Sequence, residues 1–125
     1  MPDPSVLIIE PDAILLDQYA TRLEQDFEVW RAHTAQEAID ALDRKHSFDL
    51  IVMDFNLGKN NGVEVLHEIR SYDDWLHIPV MMLSSIPKNR LPLTKLARYG
   101  VTHFLYKPQT APHELLRQAR RTIPA

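Results

Sequence analysis

Four polar side chains in this sequence could together carry out phosphoryl transfer, and each stands directly after a short apolar run: Glu10, Asp54, Ser84 and Lys107. No other residue lies between any of the four and the apolar run that precedes it. A carboxylate that lies beside a metal ion and a lysine ammonium group can attack phosphorus and form an aspartyl phosphate. Such a transfer requires mainly that the protein position the reactants and neutralise the phosphoryl oxygens. In this chemistry Lys107 supplies positive charge, and the Ser84 hydroxyl donates a hydrogen bond to a phosphoryl oxygen.

The acidic residues among these positions also indicate a metal ion. Glu10 is followed by Pro11 and Asp12, and Asp54 ends another apolar run. Clustered carboxylates repel one another, and a hard divalent cation removes that repulsion. Mg²⁺ suits a site that offers one or two carboxylates, a backbone carbonyl and waters. We therefore expect a magnesium ion beside these carboxylates.

The apolar runs predict the strands that position these residues. Four runs are nearly continuous rather than alternating, and a fifth candidate is weaker. They are residues 6–9, 50–53, 80–83 and 104–106, with Glu28–Ala32 as the weaker candidate. Continuous apolar strands are buried on both faces, which is typical of a parallel sheet covered by helices.

Amphipathic segments between the runs predict five helices: residues 12–25, 34–42, 61–69, 91–99 and 112–121. The second begins with the capping-box pattern from Thr34 to Glu37, and Gly100 is expected to end the fourth. The chain is thus a βα unit repeated five times, which with right-handed crossovers gives a doubly wound parallel sheet with helices on both faces. Ligands bind such sheets beyond the carboxyl ends of the strands, so the four polar residues should meet at one edge.

Length and composition limit the alternatives. The 125 residues predict a single domain spanning residues 1–125. Cysteine is absent, which excludes disulfides, thiolate zinc sites and a cysteine nucleophile. A net charge of −3 gives no reason to expect direct nucleic-acid binding. The N-terminal residues lack a signal-peptide pattern, and no apolar run approaches the ~20 residues of a membrane helix, so we expect a cytoplasmic protein that does not bind membranes.

Taken in order, these segments resemble the receiver domains of two-component response regulators, and the chemotaxis receiver in particular. The matching segments are residues 6–10, 49–57, 79–85 and 100–108, with Gly62 in the following helix. The resemblance covers essentially the whole chain. It implies a flavodoxin-like sheet in the order 2-1-3-4-5. It also implies a signalling switch rather than an enzyme, with Mg²⁺-dependent self-phosphorylation from a phosphodonor and slow self-dephosphorylation.

The resemblance assigns roles to the residues that would handle the phosphoryl group. Asp54 corresponds to the phosphoacceptor, and Lys107 to the lysine that the family places beside it. Ser84 corresponds to the switch hydroxyl and Phe104 to the switch aromatic residue. The peptide bond between Lys107 and Pro108 corresponds to a cis bond of the family, and the cis form costs little before proline.

Metal binding is implied for Glu10, Asp54 and the backbone carbonyl of Asn56, but the sequence departs from the family beside them. Pro11 stands where a second acid usually binds the metal, and proline offers no side-chain ligand. Asp12 follows and either reaches the metal or caps the first helix, and we favour the capping role. We therefore expect Mg²⁺ to bind more weakly than in a typical receiver.

The implied partners are a sensor histidine kinase or phosphotransfer protein, and a downstream protein or output domain. A homodimer through the fourth helix, fifth strand and fifth helix is also implied. Pro87 and Pro92 should shorten the fourth helix or delay its start, and Ile86 near the acyl phosphate predicts slow dephosphorylation. A basic cluster near that helix is interpreted as a solvated face rather than a partner contact: Lys88, Arg90, Lys95 and Arg98.

Two other functions stay open on the sequence. A degenerate receiver that binds a protein without being phosphorylated is favoured by Pro11, although the phosphoacceptor, the switch serine and the lysine are all retained. A hydrolase of similar architecture would normally carry Asp-x-Asp at the nucleophile, and here Asn56 stands two residues after Asp54. A serine hydrolase is disfavoured because no G-x-S-x-G elbow occurs. The sequence does not decide between a stand-alone receiver and part of a longer regulator.

Overall fold

Five parallel strands form one sheet in this computed structural model, which describes residues 3–45 and 47–123. The strands are β1 (Ser5–Ile9), β2 (Glu28–Ala32), β3 (Leu50–Asp54), β4 (Val80–Ser84) and β5 (Val101–Tyr106). Their order across the sheet is β2-β1-β3-β4-β5, and all neighbouring pairs are parallel. The predicted doubly wound fold and its strand order are confirmed.

Helices cover both faces of the sheet, as the continuous burial of β1, β3 and β4 requires. Within the described residues they are α1 (Ala13–Leu23), α2 (Ala35–Lys45), α3 (Gly62–Ile69), α4 (Leu93–Arg98) and α5 (Pro112–Thr122). On one face, α1 and α5 pack against Val6, Ile8 and Val52. On the other, α2, α3 and α4 pack against Leu7 and Ile9. Neighbouring residues of one strand therefore belong to opposite halves of the core.

Side-chain caps begin three of these helices and fix where each strand-to-helix loop ends. The Asp12 carboxylate accepts hydrogen bonds from Ile14 and Leu15 at the start of α1. Asn61 and Glu64 form a complete capping box at the start of α3. At α2 the predicted box forms only in part: Thr34 accepts from the Glu37 N–H, while the Glu37 carboxylate accepts from the backbone of His33.

The prolines shorten the fourth helix as expected. α4 begins at Leu93, directly after Pro92, and has only 6 residues. A 3₁₀ turn, Lys88–Arg90, follows Pro87 and occupies the part of the chain that would otherwise extend the helix. Gly100 follows α4 with φ of +80°, a left-handed conformation that glycine adopts without strain, as its predicted capping role requires.

Gly62 lies at a close approach between α3 and the sheet. A Cβ atom at this position would lie 2.9 Å from the terminal methyl of Met82 and 3.2 Å from the ring of Phe55. Gly62 also donates its N–H to the Phe55 carbonyl at 2.7 Å. The small residue therefore lets α3 begin directly against the strand end that carries Asp54.

One expectation about the backbone is wrong. Every peptide bond in the described residues is trans, including the bond between Lys107 and Pro108. Here Pro108 lies inside a 3₁₀ turn, Lys107–Gln109, and trans is the lower-energy form of a bond before proline. None of the helices in the described ranges is long and apolar enough to cross a membrane.

Candidate functional site

The four predicted residues do lie at the carboxyl edge of the sheet, and three of them are in direct contact. Lys107 Nζ lies 2.6 Å from Glu10 Oε1 and 2.6 Å from Asp54 Oδ2. Ser84 ends the neighbouring strand β4, and its hydroxyl hydrogen-bonds to the Ile86 backbone rather than to this trio. Glu10, Asp54 and Ser84 are 1%, 5% and 3% exposed, which is unusual burial for two carboxylates. One lysine therefore joins two buried acids.

Asp54 is held by the strand end and by the loop that follows it. It is the last residue of β3 and lies opposite Leu83 in the register between β3 and β4. Its Oδ1 accepts a hydrogen bond from the Asn56 N–H at 3.1 Å, and its Oδ2 accepts one from Lys107. Each carboxylate oxygen has one donor, so each keeps a further lone pair for an incoming group.

Glu10 is the least satisfied member of the trio. Its Oε2 accepts a hydrogen bond from the Asp12 N–H at 3.0 Å. Its Oε1 is buried and lies at ion-pair distance from Lys107, but the contact is not aligned as a hydrogen bond. Burial raises the pKa of Glu10 and the nearby Asp54 raises it further, while the ion pair with Lys107 and the hydrogen bond from Asp12 do not fully compensate.

Lys107 has the opposite electrostatic balance. Burial acts to lower the pKa of Lys107, but the two carboxylates that face it, Asp54 and Glu10, outweigh burial and leave the pKa raised. The ammonium group is thus firmly charged. Two carboxylates share this one ammonium group, so one of the two acids lacks a cation of its own.

The Ser84 hydroxyl is engaged away from the phosphoacceptor. Its Oγ donates to the Ile86 carbonyl and accepts from the Ile86 N–H, both at 2.9 Å. Phe104, the predicted switch aromatic residue, is partly buried on β5, and Lys88 Nζ lies 5.4 Å from the centre of its ring. The segment from Ser84 to Lys88 therefore connects the hydroxyl at the strand end to the ring on β5.

A cavity of 140 Å³ opens beside Asp54 and could receive a phosphoryl group. It is lined by Asn56, Asn61, Ser84 and Ile86 among others. A larger cavity of 620 Å³ lies at the opposite edge of the sheet, around Lys45 and Asp49. The larger one lacks the trio of charged groups, so size alone does not identify the site.

The oxygen atoms at this edge of the sheet fit a magnesium ion, although only two carboxylates are available as side-chain ligands. Two buried carboxylates face each other across one ammonium group, and Glu10 Oε1 has no aligned hydrogen bond. The loop hydrogen bonds run from Leu57 to Asn60 and from Gly62 to Phe55, so they do not use the Asn56 carbonyl. Mg²⁺ binds through one or two carboxylates when substrate phosphate and waters complete its shell.

No third acidic side chain joins Glu10 and Asp54 within the part of the chain that the structure describes. Among residues 3–45 and 47–123, no group of three or more acidic, histidine or cysteine side chains is placed to hold a metal ion. Pro11 is exposed, and the Asp12 carboxylate caps α1 through its Oδ1. The structure thus gives Asp12 the capping role, and its binding of a metal stays a prediction.

Two residues near the site were not identified from the sequence. The buried Tyr19 hydroxyl on α1 donates to the Thr110 carbonyl at 2.8 Å and so holds the turn that follows Lys107. Burial raises the pKa of Tyr19, and the charge of Lys107 acts in the opposite direction. Asn61 lines the cavity while capping α3. In the sequence, Tyr19 occupies an apolar position of an amphipathic helix. That pattern predicts that its ring is packed in the core, but it does not predict the hydrogen bond to Thr110.

Comparison with known proteins finds the same architecture elsewhere. A family model described as the response regulator receiver domain matches residues 6–120. The chain is 28% identical over 107 residues to chemotaxis protein CheY-3 of Vibrio cholerae, covering 84% of this chain and 82% of that protein. It is 30% identical over 112 residues to the sensor histidine kinase TmoS of Ectopseudomonas mendocina, covering 90% of this chain but 11% of the kinase. The structure of chemotaxis response regulator CheY4 of Vibrio cholerae matches with a TM-score of 0.82 at 25% identity, covering 96% of this chain and 98% of that one.

Proposed function

The chain belongs to the response regulator receiver domain family, and we propose that it accepts a phosphoryl group on Asp54 from a sensor histidine kinase or a phosphotransfer protein. Receivers are signalling switches rather than enzymes in the usual sense. The phosphorylated form changes a surface that binds a downstream protein or an output domain. We place this exchange in the cytoplasm, where ATP supplies the kinase.

A single observation carries this proposal: Lys107 bridges Asp54 and Glu10 at 2.6 Å each. The arrangement joins a nucleophile, a fixed positive charge and a second acid within one buried cluster. A purely structural ion pair needs only one acid for one base. The surplus carboxylate is a cost to folding, which is expected where a site is kept for chemistry.

The transfer step moves one phosphoryl group between two side chains. An Asp54 carboxylate oxygen forms a bond to phosphorus while the bond between phosphorus and the phosphohistidine nitrogen breaks. The electron pair of the broken bond stays on the histidine ring of the donor. Lys107 neutralises negative charge on the phosphoryl oxygens as they approach, and Glu10 holds Lys107 from the other side.

Magnesium, when bound, would be held by Glu10, Asp54 and the Asn56 carbonyl, and it would neutralise phosphoryl oxygens that one lysine cannot neutralise alone. Because Pro11 supplies no ligand, we expect weaker binding than in receivers that carry an acid there. A magnesium titration that gave ordinary receiver affinity would contradict this part of the proposal.

Phosphorylation would then be read through Ser84. Its hydroxyl leaves the Ile86 backbone, donates to a phosphoryl oxygen, and lets Phe104 turn inward. Self-dephosphorylation is expected to be slow, since the apolar Ile86 lines the cavity where a water would attack and offers it no hydrogen bond.

Incubation with Mg²⁺ and acetyl phosphate tests the proposal directly. Intact-mass spectrometry should show the addition of one phosphoryl group to the native protein and none to Asp54→Ala. The alternative of a phosphorylation-independent binding module, favoured by Pro11, predicts no mass change even at high Mg²⁺. Circular dichroism of the Asp54→Ala protein checks that its fold is retained.

A further inference from the structure

The backbone turn that carries Lys107 is held by the residue that follows it, Thr110. The Thr110 N–H donates to the Lys107 carbonyl at 3.1 Å, which closes the 3₁₀ turn Lys107–Gln109. The Thr110 hydroxyl donates to the Tyr106 carbonyl at 2.8 Å, directly before the lysine. The position from which the Lys107 side chain starts therefore depends on where Thr110 lies.

Thr110 is itself held by a side chain from a distant part of the sequence. The Tyr19 hydroxyl on α1 donates to the Thr110 carbonyl at 2.8 Å, across a separation of 91 residues. Tyr19 is 1% exposed and Thr110 is 5% exposed, so the bond is shielded from water. A buried hydrogen bond of this kind is costly to break, because the carbonyl that is left behind finds no other donor. Tyr19 thus connects α1 to the turn of Lys107.

The ring and the charge state of Tyr19 both suit it to a fixed role. The ring lies in the core between the sheet and helices α1 and α5, with Leu115 and Leu116 in the same cluster. Close packing keeps such a ring in place, so its hydroxyl is presented to Thr110 in one direction. Burial raises the pKa of Tyr19 above its ordinary value of 10.0, although the charge of Lys107 acts against that rise. The phenol therefore remains a hydrogen-bond donor at neutral pH.

One helix accordingly fixes both charged neighbours of Asp54. At the start of α1, the Asp12 N–H donates to Glu10 Oε2 at 3.0 Å. Seven residues after Asp12, Tyr19 holds the turn of Lys107. Lys107 Nζ lies 2.6 Å from each of its two acids at the end of a long flexible side chain. A shift of the backbone at that turn would move the ammonium group out of this position.

We propose that Tyr19 is a positioning residue for phosphoryl transfer: through Thr110, its hydroxyl holds Lys107 where the ammonium group meets the phosphoryl oxygens that approach the phosphoacceptor. The effect on transfer rests on the proposed function, whereas the positioning of Lys107 does not. Misplacement of a reacting or catalytic group by about 1 Å can cost about 100-fold in rate. The Tyr19 hydroxyl acts indirectly, so its loss should cost less, roughly tenfold.

The competing interpretation is that Tyr19 serves only the fold. A hydroxyl that merely satisfies a buried carbonyl would change stability when it is removed, and it would leave the chemistry of the folded protein untouched. Tyr19→Phe separates the two roles, because it keeps the packed ring and removes only the oxygen atom.

A double-mutant cycle in urea tests the positioning without any phosphodonor. The four proteins are the native chain, Tyr19→Phe, Lys107→Met and the double variant, all in EDTA. If the hydroxyl holds Lys107 in its ion pairs, the effects of the two substitutions on the unfolding equilibrium constant should depart from additivity by roughly threefold or more. Additive effects would overturn the proposal, whether or not the protein accepts a phosphoryl group.

The same four proteins test the effect on transfer. With Mg²⁺ and acetyl phosphate, intact-mass spectrometry should show that Tyr19→Phe gains the phosphoryl group roughly tenfold more slowly than the native protein. In the Lys107→Met background the same substitution should cause no further loss, because the group that Tyr19 positions is absent. A purely structural hydroxyl would leave the rate unchanged, and a hydroxyl that acts on another group would slow transfer equally in both backgrounds. Either result would overturn the proposal.

Tyr99→Phe is the matched control for these rates. It removes the same oxygen atom from the residue that follows α4, whose hydroxyl lies 2.8 Å from His67 Nδ1 at the other edge of the sheet. Its phosphorylation rate should equal that of the native protein. A loss as large as that in Tyr19→Phe would refute a specific role for Tyr19.

Thr110→Val acts on the same turn from its other side and covers the case in which Tyr19→Phe folds poorly. It removes the bond to the Tyr106 carbonyl with little change in volume, and it should also slow transfer. A native rate in this variant would show that Lys107 does not need the turn to be held. If the native protein gains no phosphoryl group at all, the proposed function fails, and the urea cycle alone decides whether Tyr19 positions Lys107.

Discussion

Two partly buried cations lie at opposite ends of this sheet, and they are satisfied in different ways. Arg70, just after α3, donates to three neutral backbone carbonyls: Tyr99 at 2.9 Å, Trp75 at 2.6 Å and Ile78 at 2.7 Å. Lys107 instead faces two carboxylates at 2.6 Å. Arg70 thereby fixes three segments of chain to one another, whereas Lys107 holds acidic groups that its single charge does not fully neutralise.

The pKa directions of the two cations differ accordingly. Burial lowers the pKa of Arg70, because neutral carbonyls do not offset the loss of water. At Lys107 burial acts in the same direction, but the two carboxylates that face it prevail and the pKa is raised. A cation that is fully matched by backbone groups therefore serves the fold, while one that holds surplus acids keeps a site ready for another charged group.

Removing the charge of Lys107 should have the largest effect on phosphoryl transfer. Lys107→Met keeps much of the side-chain volume and removes the charge, so the transfer of a phosphoryl group to Asp54 should slow by at least about 100-fold, as for loss of one charge-stabilising donor. Stopped phosphorylation reactions followed by mass spectrometry measure this rate. A rate within a few fold of the native protein would show that Lys107 does not neutralise the phosphoryl oxygens.

Arg70→Ala should show the reverse pattern. Three carbonyls lose their donors, so the free energy of unfolding should fall by about 3 kcal/mol. Urea denaturation measures this change, and the exposed Lys59→Ala serves as the surface control. Phosphorylation of Asp54 at a temperature where the variant stays folded should proceed at the native rate. Slow phosphorylation of the folded variant would mean that the two ends of the sheet are not separate in function.

Glu10→Gln removes the second acid beside Lys107 and so tests whether that acid destabilises the fold. Because the pKa of Glu10 is raised in the folded protein, its contribution favours folding below its usual value near 4.5 and is lost as pH rises through the folded value. Without metal and at neutral pH, the variant should be more stable by an amount on the order of 1 kcal/mol. It should also bind Mg²⁺ more weakly.

Denaturant unfolding in EDTA across the range from pH 4 to pH 8 checks the stability effect, with the native protein losing stability relative to Glu10→Gln as pH rises. Equal slopes for the two proteins would contradict a raised Glu10 pKa. The contribution of Lys107 does not confuse the measurement, because its own pKa is raised above 10.5 and its charge is constant in this range.

An exposed ion pair gives the smallest expected effect. Arg117 and Gln118 donate to Glu114 and lower its pKa to about 2, so any stability that the carboxylate contributes is present above its usual value of 4.5 and is lost as pH falls towards 2. Glu114→Gln should therefore leave the melting temperature at pH 7 nearly unchanged, since exposed pairs contribute little. A large fall in the melting temperature at pH 7 would show that the solvent exposure of this ion pair does not predict its contribution to stability.

The sequence located the central strands and the edge strand β2, Glu28–Ala32, better than the other edge strand, β5. β1, β3 and β4 are buried on both faces, and their apolar runs located each within one residue at either end. β5 begins at Val101, three residues before the run that predicted it, because an edge strand tolerates the exposed Thr102 and the half-buried His103. A continuous apolar run reports burial on both faces, so it did not mark the exposed and half-buried residues with which β5 begins.

The convergence of Glu10, Asp54 and Lys107 was predictable, since parallel strands bring their carboxyl ends to one edge. The bonds of Ser84 to the Ile86 backbone were not, because such local bonds depend on the conformation of one turn. The pairing of one lysine with two acids likewise depends on distances that no spacing along the chain fixes.

The most direct test of the central role of Asp54 is the location of the phosphoryl group. After reaction with acetyl phosphate and Mg²⁺, reduction with borohydride converts an aspartyl phosphate to homoserine, and peptide sequencing by mass spectrometry finds the changed residue. We predict homoserine at position 54 and at no other acid. Reduction at Glu10, a phosphorylated histidine, or an unmodified Asp54 in a protein that still gained a phosphoryl group would contradict this account.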